Sequence, residues 1–217
     1  MAVTADGERA TALRAGRERI LSAPRESLPA APLRDALCEL YEMELGRLAD
    51  EAGIGPGSGF ALIAFGGLGR REVLPHSDLD LVLVHERRPD RDVGELADAL
   101  WYPLWDSGVG LDHSVRTVDQ CLDVAAADVS VGLSLLDARV IAGDADLGAL
   151  VVDGARRQWR DQIASRFDDL VDAAAAPGEQ LGEDLPVEAE DQRLAFEDRP
   201  HRVVDVQPVI EDQPHPG

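Results

Sequence analysis

The stretch FGGLGRREVLPHSDLDLVLVHE, residues 65–86, limits the fold more than any other part of the chain. The apolar run FALIAF (60–65) enters it, two glycines follow at once, and a second apolar run leaves it after Asp78 and Asp80. Short apolar runs bounded by glycines and turn residues read as buried strands. Successive side chains of a strand point to opposite faces, so Asp78, Asp80, Val82 and Val84 share one face and Leu79, Leu81 and Leu83 the other. The two carboxylates therefore point the same way, roughly 6–7 Å apart along the backbone. A sheet built on these runs presents two acids at a strand's start, close to a turn that carries no side chains.

That combination has chemical content. Two carboxylates on one face can converge on Mg2+, a hard ion that takes one or two carboxylates together with substrate phosphate oxygens. Glycines let backbone N–H groups approach phosphates unobstructed. Ser77 offers a hydroxyl to a phosphate, and Arg70 or Arg71 a guanidinium fork to its charge. These are the parts for nucleotidyl transfer, with Asp78 and Asp80 as metal ligands and Gly66, Gly67 and Ser77 as triphosphate contacts. An attack in line on the α-phosphate would then expel pyrophosphate. An Asp-x-Asp pair alone is usually a strand end, and a glycine pair alone is usually a turn. It is their joint spacing between two strands that carries the reading.

The charge balance narrows the substrate. The chain has 217 residues, a formal net charge of -21 and a pI near 4.4. So acidic a surface repels nucleic-acid backbones and disfavours a grip on long DNA or RNA. It still admits a small anionic substrate brought in with a divalent cation, which reverses the local field. All the positive charge is arginine, so arginine must make any phosphate contact. Aromatic residues are only 4%, which leaves the core to Leu, Val, Ile and Ala. Cys38 and Cys121 lie far apart, with no metal-binding spacing. The first twenty residues are charged and lack an apolar centre, and no run approaches the ~18 apolar residues of a membrane span. A cytoplasmic protein without membrane contact is expected.

The expected fold is α/β (α+β): a small mixed sheet with helices on one side and a helical arm at each end. Residues 1–54 form the first arm, with helices over 8–22 and 33–54. In the second helix Leu33, Leu37, Leu40, Leu45 and Leu48 recur near helical spacing. Residues 55–125 form the core, with a helix over 93–108 that Pro103 should kink or restart, and a third strand over 110–118. Residues 126–177 are expected to be helical, interrupted around Gly143. Residues 178–217, rich in acids and prolines and without an apolar period, read as a disordered tail.

The segment GGLGRREVLPHSDLDLVLV resembles the signature of the DNA polymerase β nucleotidyltransferase superfamily. More narrowly it is similar to the bifunctional PII uridylyltransferase/uridylyl-removing enzymes of bacteria. The family pattern is met by Gly66, Gly67, Gly69, Arg70, Glu72, Pro75, Ser77, Asp78 and Asp80, with Val73 where the family has Leu. LWDSGVGLDHSVRTVDQC and SLLDARVIAGDADL resemble later family segments, so the likeness spans roughly residues 8 to 170. It implies Mg2+-dependent transfer of UMP from UTP, or AMP from ATP, to a tyrosine of the PII signal protein. The family continues into a Glu-Pro-Asp segment, a metal-dependent HD hydrolase domain and two ACT domains, and GEQLGEDLPVEAEDQ stands where that continuation would begin. The resemblance thus implies the transfer half only, without uridylyl removal or glutamine sensing.

Superfamily members use a third carboxylate, often as the base for the attacking hydroxyl. Asp112 is the candidate in this chain, with the family's Glu-Pro-Asp segment as the other source. Arg116, with Ser114, resembles a Ser-Val-Arg motif that contacts nucleotide or braces the site. Arg70 is a charge stabiliser, and Glu72 braces the loop. His76, His113, Trp101, Tyr102, Trp105, Arg139 and Asp144 read as structural. The competing functions are a catalytically inactive remnant or binding module that keeps the fold, and a small-molecule nucleotidyltransferase.

Overall fold

The computed structural model describes residues 2–24, 26, 28–87, 90–167 and 171. The expected tail, residues 178–217, lies outside the described residues. In chain order the elements are α1 (Ala2–Leu21), α2 (Ala30–Glu51), β1 (Phe60–Phe65), α3 (Gly66–Gly69), β2 (Leu79–His85), α4 (Asp90–Ser107), β3 (Leu111–Arg116), α5 (Val118–Ala127), α6 (Val129–Leu136), β4 (Arg139–Gly143) and α7 (Ala145–Gln162).

The four strands form one mixed sheet in the order β3-β2-β1-β4. β1 runs antiparallel to both β2 and β4, and β2 pairs in parallel with β3. A parallel neighbour needs a crossover, and α4 supplies it. The register sets Phe65 opposite Asp80 and Asp80 beside Asp112. Alternation then puts Ile63, Phe65, Asp80, Val82, Asp112, Ser114 and Arg116 on one face.

The alternation read from the sequence separates two cores. Leu79, Leu81 and Leu83 pack with Leu37, Tyr41, Leu45, Leu48, Leu100 and Trp101 of α2 and α4. Val82 and Val84 pack with Ala61, Ile63, Cys121, Leu135, Val151 and Ala155 on the other face. Helices therefore cover both faces, not one side as expected. The physical reason is the composition of β1 and β2. Both are apolar on both sides over most of their length, so each side needs a cover.

Two further expectations change. Residues 139–143 are not helical but form β4, pairing with β1 through a register shift between Leu62 and Ile63. Arg-Val-Ile-Ala-Gly is too short and too β-branched to hold a helix beside an open sheet edge, and β1 offers that edge. Pro103 does not restart α4, which runs unbroken to Ser107. Trp101 is fully buried in this helix, whereas Tyr102 and Trp105 are 52% and 38% exposed; Trp101 and the partly exposed Trp105 both meet His113 of the sheet.

Local chemistry fixes the helix starts on the second face. Thr117 ends β3 and caps α5, accepting from the Gln120 N–H while the Gln120 side chain accepts from the Thr117 N–H. Asp128 and Asp144 cap α6 and α7 through the N–H groups two and three residues on. No helix among the described residues is long and apolar enough to cross a membrane.

Candidate active site

β1 ends at Phe65, and the chain turns at once into the single helical turn α3. Gly66 has φ 57°, a left-handed conformation that glycine adopts without a Cβ penalty. A Cβ there would also overlap the Asp80 carboxylate. The glycine pair thus presses backbone directly against the carboxylate, near enough for the Gly67 N–H to favour its charged form. Across the strand start, a Cβ on Gly110 would overlap the Asp78 carboxylate, and the Leu79 N–H donates to the Gly110 carbonyl at 2.8 Å. Gly110 was not among the residues expected at the site. Its signal, a glycine just before the third strand, is too common to read alone.

The carboxylates feel one another. Burial first, then Asp112 and Asp78, push the Asp80 carboxyl up from 3.8 to about 6, against the Gly67 N–H and Arg70, which pull it down. Asp80 is half-buried, while Asp78 and Asp112 are exposed at the end of the sheet. Parallel neighbours lie about 4.8 Å apart, which explains why Asp112 acts on Asp80 more than Asp78 does.

The other expected residues have distinct places. Arg70 is exposed and paired with Glu72 at 3.0 Å. Ser77 accepts from the Leu74 N–H at 3.0 Å, closing the turn before the acids. Arg116 donates to Ser114 at 3.3 Å. Inward from the carboxylates, a narrow crevice of about 40 Å³ lies between the sheet and α5–α6, lined by Phe65, Val82, Ser114, Arg116, Val124 and Leu135. His113 faces the opposite side, its ring 4.9 Å from Trp101 and 5.2 Å from Trp105, where burial lowers its pKa. It does not join the carboxylates. Arg139 of β4 reaches the glycine turn from outside it and pairs with Glu42 of α2; neither was expected to act at the site.

The residues present suit a divalent cation. Three acids crowd one sheet end, and burial plus mutual repulsion holds a proton on Asp80 to an unusually high pH, so added positive charge is favoured there. Among the described residues no group of three or more His, Cys, Asp or Glu side chains is gathered closely enough to hold a metal ion by itself. An ion that takes two carboxylates and completes its shell with water and phosphate, as Mg2+ does, fits this set.

A mixed sheet with a glycine turn set against a strand-borne Asp-x-Asp brings together the parts that nucleotidyl transfer calls for. Residues 26–107 match the family model described as "Putative nucleotidyltransferase DUF294". The bifunctional uridylyltransferase/uridylyl-removing enzyme of Mycobacterium tuberculosis is 46% identical over 173 residues, which are 80% of this chain and 21% of that protein. The enzyme of the same name from Streptomyces coelicolor is 45% identical over 169 residues, 78% of this chain and 20% of that protein. This chain carries a nucleotidyltransferase domain of the kind found in those enzymes, and it spans about a fifth of their length. Among solved structures, a chain titled "Crystal structure of the toxin-antitoxin with AMP-PNP" matches with a TM-score of 0.37 and 14% identity, over 59% of this chain and 94% of that one.

Proposed function

We propose that this chain transfers a nucleotide to a protein hydroxyl: UMP from UTP, or AMP from ATP, onto a tyrosine of a PII-type signal protein in the cytoplasm. One observation carries the reading. Asp80, Asp78 and Asp112 crowd one sheet end beside the Gly66–Gly67 backbone, and burial followed by the two neighbouring acids raises the Asp80 pKa to about 6. The relatives' names supply the uridylyl group, and the acceptor class comes from the family resemblance of the sequence motifs.

The roles follow from position. Asp78 and Asp80 would hold Mg2+, which when bound supplies charge neutralisation on the triphosphate. The Gly66 and Gly67 N–H groups would cradle the β- and γ-phosphates, with Ser77 at the turn beside them. Arg70, already close enough to pull the Asp80 pKa down, balances phosphate charge. Asp112 is the base for the attacking hydroxyl. Ser114 and Arg116, on the same sheet face as Asp80 and Asp112, contact the nucleotide from the sheet.

The test is calorimetry with non-hydrolysable UTP and ATP analogues, with and without Mg2+, on wild type, Asp80→Ala and Asp78→Asn. Binding should require Mg2+ and vanish in both variants, and the preferred base then separates uridylyl from adenylyl transfer. A folded wild type that binds neither nucleotide would replace this reading with the inactive remnant.

A further inference from the structure

We infer that Glu42 and Arg139 are positioning residues: together they clamp the glycine turn that, on the transfer reading, cradles the triphosphate. The inference rests on that reading for its function and on separate contacts for its geometry.

α3 is a single turn, and its last carbonyls lie at its end, where helical partners run out. Arg139 bonds the Gly69 carbonyl and adds a second donor to the Leu68 carbonyl, which also accepts from the Arg71 N–H. Its Nε donates to the Gly69 carbonyl at 2.8 Å and its Nη2 to the Leu68 carbonyl at 2.9 Å. The same Nη2 donates to Glu42 Oε1 at 2.5 Å. The other Glu42 oxygen accepts from Arg71 Nη1 at 2.6 Å. One carboxylate from α2 therefore joins two arginines, one from β4 and one that follows the turn.

The backbone around the turn depends on that junction. Arg71 has φ 58°, and it is the only non-glycine residue with positive φ among those described. A left-handed arginine costs about 1 kcal/mol or more and persists only where its surroundings hold it. Glu42 is the partner that holds it. On the other side, Gly69 has no room for a Cβ, which would lie 2.8 Å from the Asp137 carbonyl and 3.2 Å from that of Ala64. The far end of the turn is thus pinned by backbone packing and by a guanidinium fork. A single helical turn is too short to bend between its ends. Fixing Leu68 and Gly69 therefore fixes where the Gly66 and Gly67 N–H groups point. Lysine cannot replace Arg139, because one ammonium has no planar fork to span two carbonyls and a carboxylate. Glu42 touches none of the three aspartates in any described contact, so its effect on the site runs through the arginines.

The experiment uses the full chain with Glu42→Gln, Arg139→Lys and, as a milder variant, Arg71→Gly, which relieves the positive φ but removes one arm. Two quantities are read. The first is hydrogen exchange at the amides of Arg70, Arg71 and Glu72, which donate back into the turn at Gly66, Leu68 and Gly67 at 3.1, 3.2 and 2.7 Å. The second is the ratio of affinities for a non-hydrolysable UTP analogue and for UMP, with Mg2+. Loss of one charge-assisted hydrogen bond should speed exchange at those amides, and weaken UTP-analogue binding, by roughly tenfold in Glu42→Gln and Arg139→Lys. UMP, which has no β- or γ-phosphate, should bind as before, and Arg71→Gly should fall in between. Exchange and affinity ratio equal to wild type would overturn the inference. So would exchange that rises equally throughout the chain, because the two residues would then serve only global stability. Loosened turn amides in a chain whose wild type binds no UTP analogue would uphold the clamp and remove the transfer reading instead.

Discussion

Asp80→Asn should stabilise the fold at neutral pH while removing Mg2+-dependent nucleotide binding. In the folded chain the Asp80 carboxyl holds its proton up to about pH 6, against 3.8 for its ordinary value. Folding therefore favours the protonated form. The associated stability is present below about pH 4 and is lost as pH rises through 6. The full shift corresponds to about 3 kcal/mol. Asp80 is only half-buried, and solvent screening reduces that to about 1–2 kcal/mol. Asparagine removes the charge, keeps an oxygen to accept from the Gly67 N–H, and adds an amide donor beside Asp112. For a domain of this size the gain should raise the melting temperature by about 2–8 °C at pH 7.5. By linkage the gain should fall to about half at pH 5, where wild-type Asp80 is already mostly protonated in the folded state. Paired thermal melts at the two pH values, with and without Mg2+, measure this. Wild type should gain stability from Mg2+ and the variant should not. A variant less stable than wild type at pH 7.5, or a gain unchanged at pH 5, would refute the view that Asp80 is a strained carboxylate.

Two more outcomes follow from the same geometry. Asp112→Asn removes the larger of the two like charges that act on Asp80, so the Asp80 pKa should fall from about 6 yet stay above 3.8, because burial is the first cause of the shift. Carboxyl-carbon NMR titration reads it, and an unmoved pKa would mean that Asp112 does not reach its neighbour. Gly66→Ala forces a Cβ into the Asp80 carboxylate at φ 57° and should cost about 1–3 kcal/mol in denaturant melts, with loss of nucleotide binding; an unchanged midpoint would contradict the close approach.

Much of the site could be read from one local stretch because its parts are local. The two strands, the glycines and Asp78 and Asp80 lie within 27 residues, and strand alternation alone puts the acids on one face. The leucines of α2 likewise announce their buried face, with Leu37, Leu45 and Leu48 buried as their spacing implies. By itself the sequence determined the class of chain: a glycine turn and a strand-borne carboxylate pair that belong to nucleotidyl transfer.

Tertiary structure decided what no local pattern encodes. The strand at Arg139–Gly143 exists because β1 has an open edge, which a window centred on those residues cannot see. Asp112 stands beside Asp80 only because β3 pairs with β2 in parallel and in one register; a shift of one residue would turn it to the other face. Glu42 and Arg139 meet across 97 residues of sequence. In the sequence Glu42 looks like any solvated charge of α2, and Arg139 reads as structural with no partner named. Only packing α2 and β4 around the glycine turn brings the Arg139 guanidinium to the turn's carbonyls and the Glu42 carboxylate to that guanidinium, since hydrogen bonds of that kind depend on distance in space and not along the chain.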